Sequence, residues 1–163
     1  MLIRPIEDPD WPAFVPVFRG IVDDGETYAY PDSLDDAAIR TLWDEPAPGV
    51  TVVAVDEASG LLLGSAKSGP NRPGRGRHVA TASFMVAPQA RGRGVGRTLA
   101  VWVLEWAAAQ GYAAMQFNAV VETNAGAVAL WRDLGFDVVG TVPEAFTSRR
   151  HGRVGLHVMH RFL

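Results

Sequence analysis

Apolar residues recur at two spacings along the chain, and the switches between them predict its elements. "LIRPIE" sets Leu2, Ile3 and Ile6 in a short strand-like run. From Trp11 to Val22 the apolar positions Phe14, Val17, Phe18, Ile21 and Val22 follow helical steps. Pro12 suits a first turn there, whereas Pro16 works against the helix. "DDGETYAYPDS" reads as a loop, and Ser33 then caps a second helix carrying Ala37, Ile39, Leu42 and Trp43. "VTVVAVD" and "GLLLGSAKSG" are β-rich runs around a tight "EASG" turn, which predicts a hairpin. After the loop "PNRPGRGRH", "VATASFMVAP" is a strand with Ala80, Ala82, Phe84 and Val86 on one face.

The second half continues the alternation. Val95, Leu99, Trp102, Val103 and Trp106 lie on one face of a long helix, and "AAMQFNAVV" is a strand. "NAGAVALWRDLG" is a helix capped by Asn124 and stopped by Gly135, and two more strands close the chain. The order βααβββαβαββ predicts an α/β protein with a mixed sheet. No repeat or linker divides it, so residues 1–163 read as one domain. Two helices follow strands directly, and open α/β sheets bind ligands at such strand ends.

Composition narrows the classes of function. The chain is 48% hydrophobic and 20% charged with a formal net charge of −3, a balance without pull toward nucleic acid or acidic membrane. It has no cysteine, which excludes disulfides, thiolate metal sites and a cysteine nucleophile, and fits a reducing compartment. No apolar run approaches the ~20 residues of a membrane helix, and "MLIRPIEDPDW" lacks a leader's apolar core. The expectation is a soluble cytoplasmic protein without a metal.

The junction "ARGRGVGRT" stands apart from this ordinary background. Arg91, Gly92, Arg93, Gly94, Val95, Gly96, Arg97 and Thr98 lie where a strand gives way to a helix. The first turn of a helix presents unpaired N–H groups and roughly half a positive charge. Glycines clear side chains from those amides, and arginines grip oxyanions, so the pattern suits a diphosphate. No Gly-Lys-Ser/Thr follows the glycines, which removes a nucleotide P-loop, and their steps do not fit a dinucleotide fingerprint.

These residues resemble the acetyl-CoA signature of the GCN5-related N-acetyltransferases, Gln/Arg-x-x-Gly-x-Gly/Ala, through Arg91, Gly94 and Gly96. A second family motif is matched by Asn124, Ala127, Leu130, Gly135 and Phe136. "GETYAYPDS" looks like the substrate loop of the phosphinothricin- and amino-acid-type branch. The resemblance implies a mixed, mostly antiparallel sheet flanked by about four helices. It also implies an acetyl-CoA-dependent transfer to a primary amine by direct attack in a ternary complex. Phe84, Met85 and Val86 would pair with the pantetheine arm, with the Val86 N–H as oxyanion donor. Arg91 to Thr98 would hold the pyrophosphate, and Asn124, Ala127 and Trp131 would line the arm.

One family position departs: the tyrosine credited with protonating the CoA thiolate is Trp131 here. A thiol pKa of about 8.5 makes the thiolate a tolerable leaving group, so transfer survives the change. Trp131 equally reads as a core aromatic. Glu26 is a candidate base, directly or through a water, or a counter-charge for the ammonium. Asn118 is a candidate for orienting substrate or water. Thr27, Tyr28 and Tyr30 are acceptor-binding candidates, and the two tyrosines point the same way if the loop is extended. His151, His157 and His160 are further bases to consider, the last two facing opposite sides of a strand. The acceptor implied is a small amine, amino acid or analogue. The alternatives are a protein N-acetyltransferase and an acyl-CoA sensor with weak chemistry. The branch also brings a homodimer into view.

Overall fold

A computed structural model describes residues 1–163. The elements are β1 (Leu2–Pro5), α1 (Trp11–Asp24), α2 (Asp36–Trp43), β2 (Val50–Val55), β3 (Leu62–Pro70), β4 (Val79–Val86), α3 (Val95–Ala109), β5 (Ala114–Val121), α4 (Ala125–Asp133), β6 (Asp137–Ser148) and β7 (Gly152–Phe162). They build one seven-stranded sheet in the order β1-β2-β3-β4-β5-β7-β6. Every neighbouring pair is antiparallel except β4 and β5. The element order and the mixed, mostly antiparallel sheet are those expected.

Local chemistry explains most boundaries, with two departures. α1 is continuous through Pro16, whose missing N–H lies on the solvent side of the helix, where water can satisfy the carbonyl one turn back. The cap of α2 is Asp35, not Ser33: its carboxylate accepts from the Ala38 N–H at 2.7 Å. Ionised carboxylate outdoes hydroxyl at that dipole end, and the helix starts later as a result.

The strands bury side chains on both faces of the sheet. On one side α1 and α2 bring Phe14, Phe18, Ile39 and Trp43 onto Val53, Leu62 and Met85. On the other, α3 and α4 bring Leu99, Val103 and Trp131 onto Ala66, Ala80, Phe117 and Phe136. Trp102 and Trp106 only flank that second core, because Ala100, Leu104 and Ala107 take the inner positions of α3. β6 is the exposed edge, with Val139 and Val142 open to solvent.

Candidate active site

β4 pairs with β5 only at Val79↔Ala114 and Ala80↔Met115, and beyond that the two strands part. The rings of Phe84, Phe117 and Trp131 pack together where the strands part, Phe84 and Phe117 meeting edge-on at 6.1 Å and Trp131 lying 5.0 Å from Phe84. β5 also slips register against β7 between Phe117 and Val120, which bends it away. The parted strands open a cleft of about 960 Å³ lined from the start of α3 to the turn between β6 and β7.

At one end the cleft meets the start of α3. Gly92 and Gly94 hold φ of 74° and 79°, a region closed to most side-chain-bearing residues. The first bond along the helix runs from the Thr98 N–H to the Gly94 carbonyl at 3.0 Å. The amides of Val95, Gly96 and Arg97 therefore form the unpaired first turn. Arg91, Gly92, Gly94, Val95, Gly96 and Arg97 line the cleft, while Arg93 and Thr98 do not. Arg93 instead lies 3.8 Å from Asp56 beside the β2–β3 turn, and the Thr98 hydroxyl donates back to the Gly94 carbonyl. Arg97 pairs with Asp133 at 2.9 Å, an exposed and weak attachment. Arg91 has no such partner among the ion pairs of the structure.

Along β4 the ladder alternates. The Ala87 N–H donates to the Leu63 carbonyl on β3, so Met85, two residues back, also turns its backbone to β3. Its side chain is fully buried against α1 and α2. Met85, grouped in sequence with its neighbours, thus offers the cleft no main-chain group. Phe84 and Val86 turn the other way. Phe84 is already engaged: the Tyr28 hydroxyl donates to its carbonyl at 2.7 Å and accepts from its N–H at 3.0 Å. The Val86 N–H, on the same edge, has no side-chain partner of this kind. Burial pushes the Tyr28 phenol well above its ordinary value, with the Phe84 bond opposing.

On the opposite wall, Asn124 caps α4 by accepting from the Ala127 N–H at 3.2 Å, and Ala127 and Leu130 face the cleft beside it. Trp131 is 7% exposed, packed on Phe84, Phe117 and Phe136, so it serves as core and wall together. Asn118 sits on the β5 wall, taking a bond from Gln116 and donating to Asn71 at 2.6 Å. That ties β5 to the β3–β4 loop.

The far end of the cleft is made by two loops. Tyr28 and Tyr30 stack with ring centroids 5.5 Å apart and planes 6° from parallel, as their spacing predicts. Glu26 accepts from the Ser148 hydroxyl at 2.7 Å with one oxygen and from the Arg150 N–H at 3.0 Å with the other. The Ser148 bond, then the Arg150 amide and the Arg150 and His151 charges, hold the Glu26 carboxyl below its usual value against partial desolvation. Arg150 also reaches Asp24 at 3.4 Å. Nothing in the sequence joins Glu26 to Ser148, 122 positions later; only the β6–β7 hairpin brings them together. Asp24, Phe146, Arg150, His151 and Leu156 line this end without having been singled out as one group. The Thr27 hydroxyl beside them is buried without a partner. His157 and His160 do not line the cleft: His157 bonds Thr141, and His160 packs on Phe162. No three His, Asp or Glu side chains are grouped to hold a metal ion. No helix is long and apolar enough to cross a membrane.

Comparison with known proteins agrees with this geometry. The model of the acetyltransferase (GNAT) family matches residues 7–136. The chain is 31% identical over 148 residues to an L-methionine sulfoximine/L-methionine sulfone acetyltransferase of Pseudomonas paraeruginosa, covering 88% of this chain and 83% of that one. Two longer proteins, from Schizosaccharomyces pombe and Saccharomyces cerevisiae, also match, and the chain spans only 50% and 12% of their lengths. Its fold superposes on a GCN5-related N-acetyltransferase from Kribbella flavida with TM-score 0.96 at 60% identity, covering 99% of this chain and 97% of that one. A GNAT superfamily phosphinothricin acetyltransferase from Sinorhizobium meliloti, solved in complex with acetyl-CoA, superposes with TM-score 0.86 at 26% identity, covering 99% and 88%. The chain therefore belongs to the GNAT family of acetyltransferases.

Proposed function

We propose that the protein transfers an acetyl group from acetyl-CoA to the primary amine of a small acceptor, an amino acid or its analogue, by direct attack in a ternary complex. The observation that carries this reading is the parted β4–β5 edge, with a bare helix start at one end and a charged, aromatic-lined rim at the other. The first-turn amides of α3 and the Arg91 guanidinium suit the CoA diphosphate. Acetyl-CoA supplies a thioester carbonyl, and the Val86 N–H is the candidate donor to the charge that grows on its oxygen. Asn124 keeps its amide nitrogen for the arm while its oxygen caps α4. Glu26, held ionised with both oxygens accepting hydrogen bonds, suits a counter-charge for an ammonium better than a base. Without cysteine, a cysteinyl acyl-enzyme is excluded, which supports direct attack by the amine.

The relative that acts on methionine sulfoximine and sulfone supports an amino-acid-like acceptor. Asp24 and Glu26 facing Arg150 at the rim suit a molecule bearing both an ammonium and a carboxylate. The acidic, cysteine-free composition supports a cytoplasmic protein without a nucleic-acid partner. The exposed β6 edge supports a homodimer. A second reading, an acyl-CoA sensor with weak chemistry, is favoured by Trp131, which carries no phenol.

Calorimetric titration with acetyl-CoA tests the reading on wild type, Arg91→Ala and Gly96→Glu. One site per chain is expected, weakened about tenfold or more in Arg91→Ala, the size of a lost charge-assisted bond. Gly96→Glu favours the helix start yet repels the diphosphate. No binding by folded wild type overturns the reading. Binding without thiol release across a panel of amino acids and analogues favours the sensor.

A further inference from the structure

Granted the acyl-transfer reading above, we infer that Arg150 holds the seat of the acceptor's ammonium in the free protein and, by giving it up, selects acceptors that also carry a carboxylate. Arg91 and Arg97 line the cleft at the helix start, and Arg150 is the one lysine or arginine lining its far end. Its guanidinium reaches both carboxylates there, Asp24 at 3.4 Å and Glu26 at 3.9 Å. These are the groups that suit an incoming ammonium, so the seat already holds a cation. The hold is loose, because the Arg150 side chain is 67% exposed and exposed pairs are weak. The Glu26 carboxylate is only 16% exposed and stays fixed by the Ser148 hydroxyl and the Arg150 N–H when the guanidinium swings away. A carboxylate on the acceptor gives the displaced guanidinium a new partner in the forked geometry that arginine favours. A plain amine takes the same seat and leaves Arg150 without one.

The seat also explains why its resident is arginine. A guanidinium stays protonated in proteins and offers no amine to a thioester. A lysine in the same position would place Cε where Arg150 has Nε, so its Nζ would reach Glu26 one bond further on. That amine, once it has released a proton to solvent, can attack the thioester carbonyl. A C–N bond forms, the C–S bond breaks, and CoA leaves as the thiol with a second proton from the nitrogen. The chain's single lysine, Lys67, lies outside the cleft, its amine bonded to the Leu42 carbonyl at 2.8 Å and to Glu45 at 3.1 Å. It serves as the internal reference for acetylation away from the seat.

Two variants test this. Arg150→Lys is incubated with acetyl-CoA and no acceptor, and acetylation is mapped by mass spectrometry. Position 150 should gain an acetyl group at least tenfold faster than Lys67 of the same chain, and excess CoA should suppress the gain. Thiol release by wild type and Arg150→Ala is then measured with the best amino-acid acceptor of the panel, beginning with methionine sulfone, and with its decarboxylated amine. Wild type should favour the amino acid by tenfold or more in kcat/KM. Arg150→Ala should bring the two within about threefold, through KM, with kcat changed by less than about threefold. Acetylation at position 150 that is no faster than at Lys67, or insensitive to CoA, overturns the inference. So does a wild type that prefers the plain amine, or a preference that Arg150→Ala leaves unchanged. Each of these results leaves the acyl-transfer reading standing. A folded wild type that releases thiol with no acceptor, beside an unmodified Arg150→Lys, overturns both.

Discussion

Trp131 shows how one residue can serve packing and site at once. Its indole closes an aromatic group with Phe84, Phe117 and Phe136, and it also lines the cleft between β4 and β5. Trp131→Ala should destabilise the fold by ~3–5 kcal/mol, the usual range for emptying a large aromatic site. Urea unfolding measures this, and a loss below ~1 kcal/mol would mean that the rings are not a shared core. Glu26 is the residue whose role depends on pH. Its folded pKa lies below the unfolded value because Ser148 and the Arg150 amide favour the carboxylate. Its contribution is therefore fully present above the unfolded value of about 4.3 and is lost as pH falls through the lower folded value. Unfolding of wild type and Glu26→Gln, followed from pH 7 to pH 2.5, should give a stability gap that is widest near neutrality and narrows in acid. A gap independent of pH would place the effect outside the carboxylate's charge.

Ser148 decides a question at the scale of elements, because it is the knot between the loop after α1 and the β6–β7 turn. Its hydroxyl donates to Glu26 and accepts from the Arg150 and His151 amides, and the Arg149 N–H adds a bond to the Gly25 carbonyl. Ser148→Ala should cost about 1–3 kcal/mol, since it removes a hydroxyl that bonds a charged carboxylate and two amides in part-buried positions. Amide exchange should quicken at residues 148–151 and 25–30 together, while α3 stays unchanged. The contrast between this knot and the α3 start marks what a sequence can show. The helix start is local: Arg91 to Arg97 carry their meaning in consecutive residues, and strand, turn and helix are each readable from spacing. The knot is long-range, joining Glu26 to a hairpin residue 122 positions later. The alternation on β4 lies between these cases. Spacing assigns its side chains, but only the register with β3 decides that Phe84 and Val86 turn their backbones to the cleft while Met85 does not.

Across the whole molecule the consequential feature is a seven-stranded sheet joined at its centre by just two parallel residue pairs. The β1–β4 half and the β5–β7 half share that short seam, the helices packed over it and the loop knot. A ligand lying between β4 and the start of α4 touches both halves, so its binding energy adds to their cohesion. At acetyl-CoA a hundredfold above its dissociation constant, mass action stabilises the folded state by about 2.7 kcal/mol. For a chain of this size that raises Tm by roughly 5–10 °C. The rise should shrink with added salt, because the diphosphate grip is partly exposed charge. Hydrogen exchange should slow on both walls together, along β4 residues 82–86 and at the start of α4. A thermal shift with protection confined to α3 would describe a phosphate clasp on one half alone, and the thioester would then lie outside the cleft. Protection on both walls would show that the gap in the sheet is closed by the ligand itself, which takes the place of the strand pairing that β4 and β5 abandon.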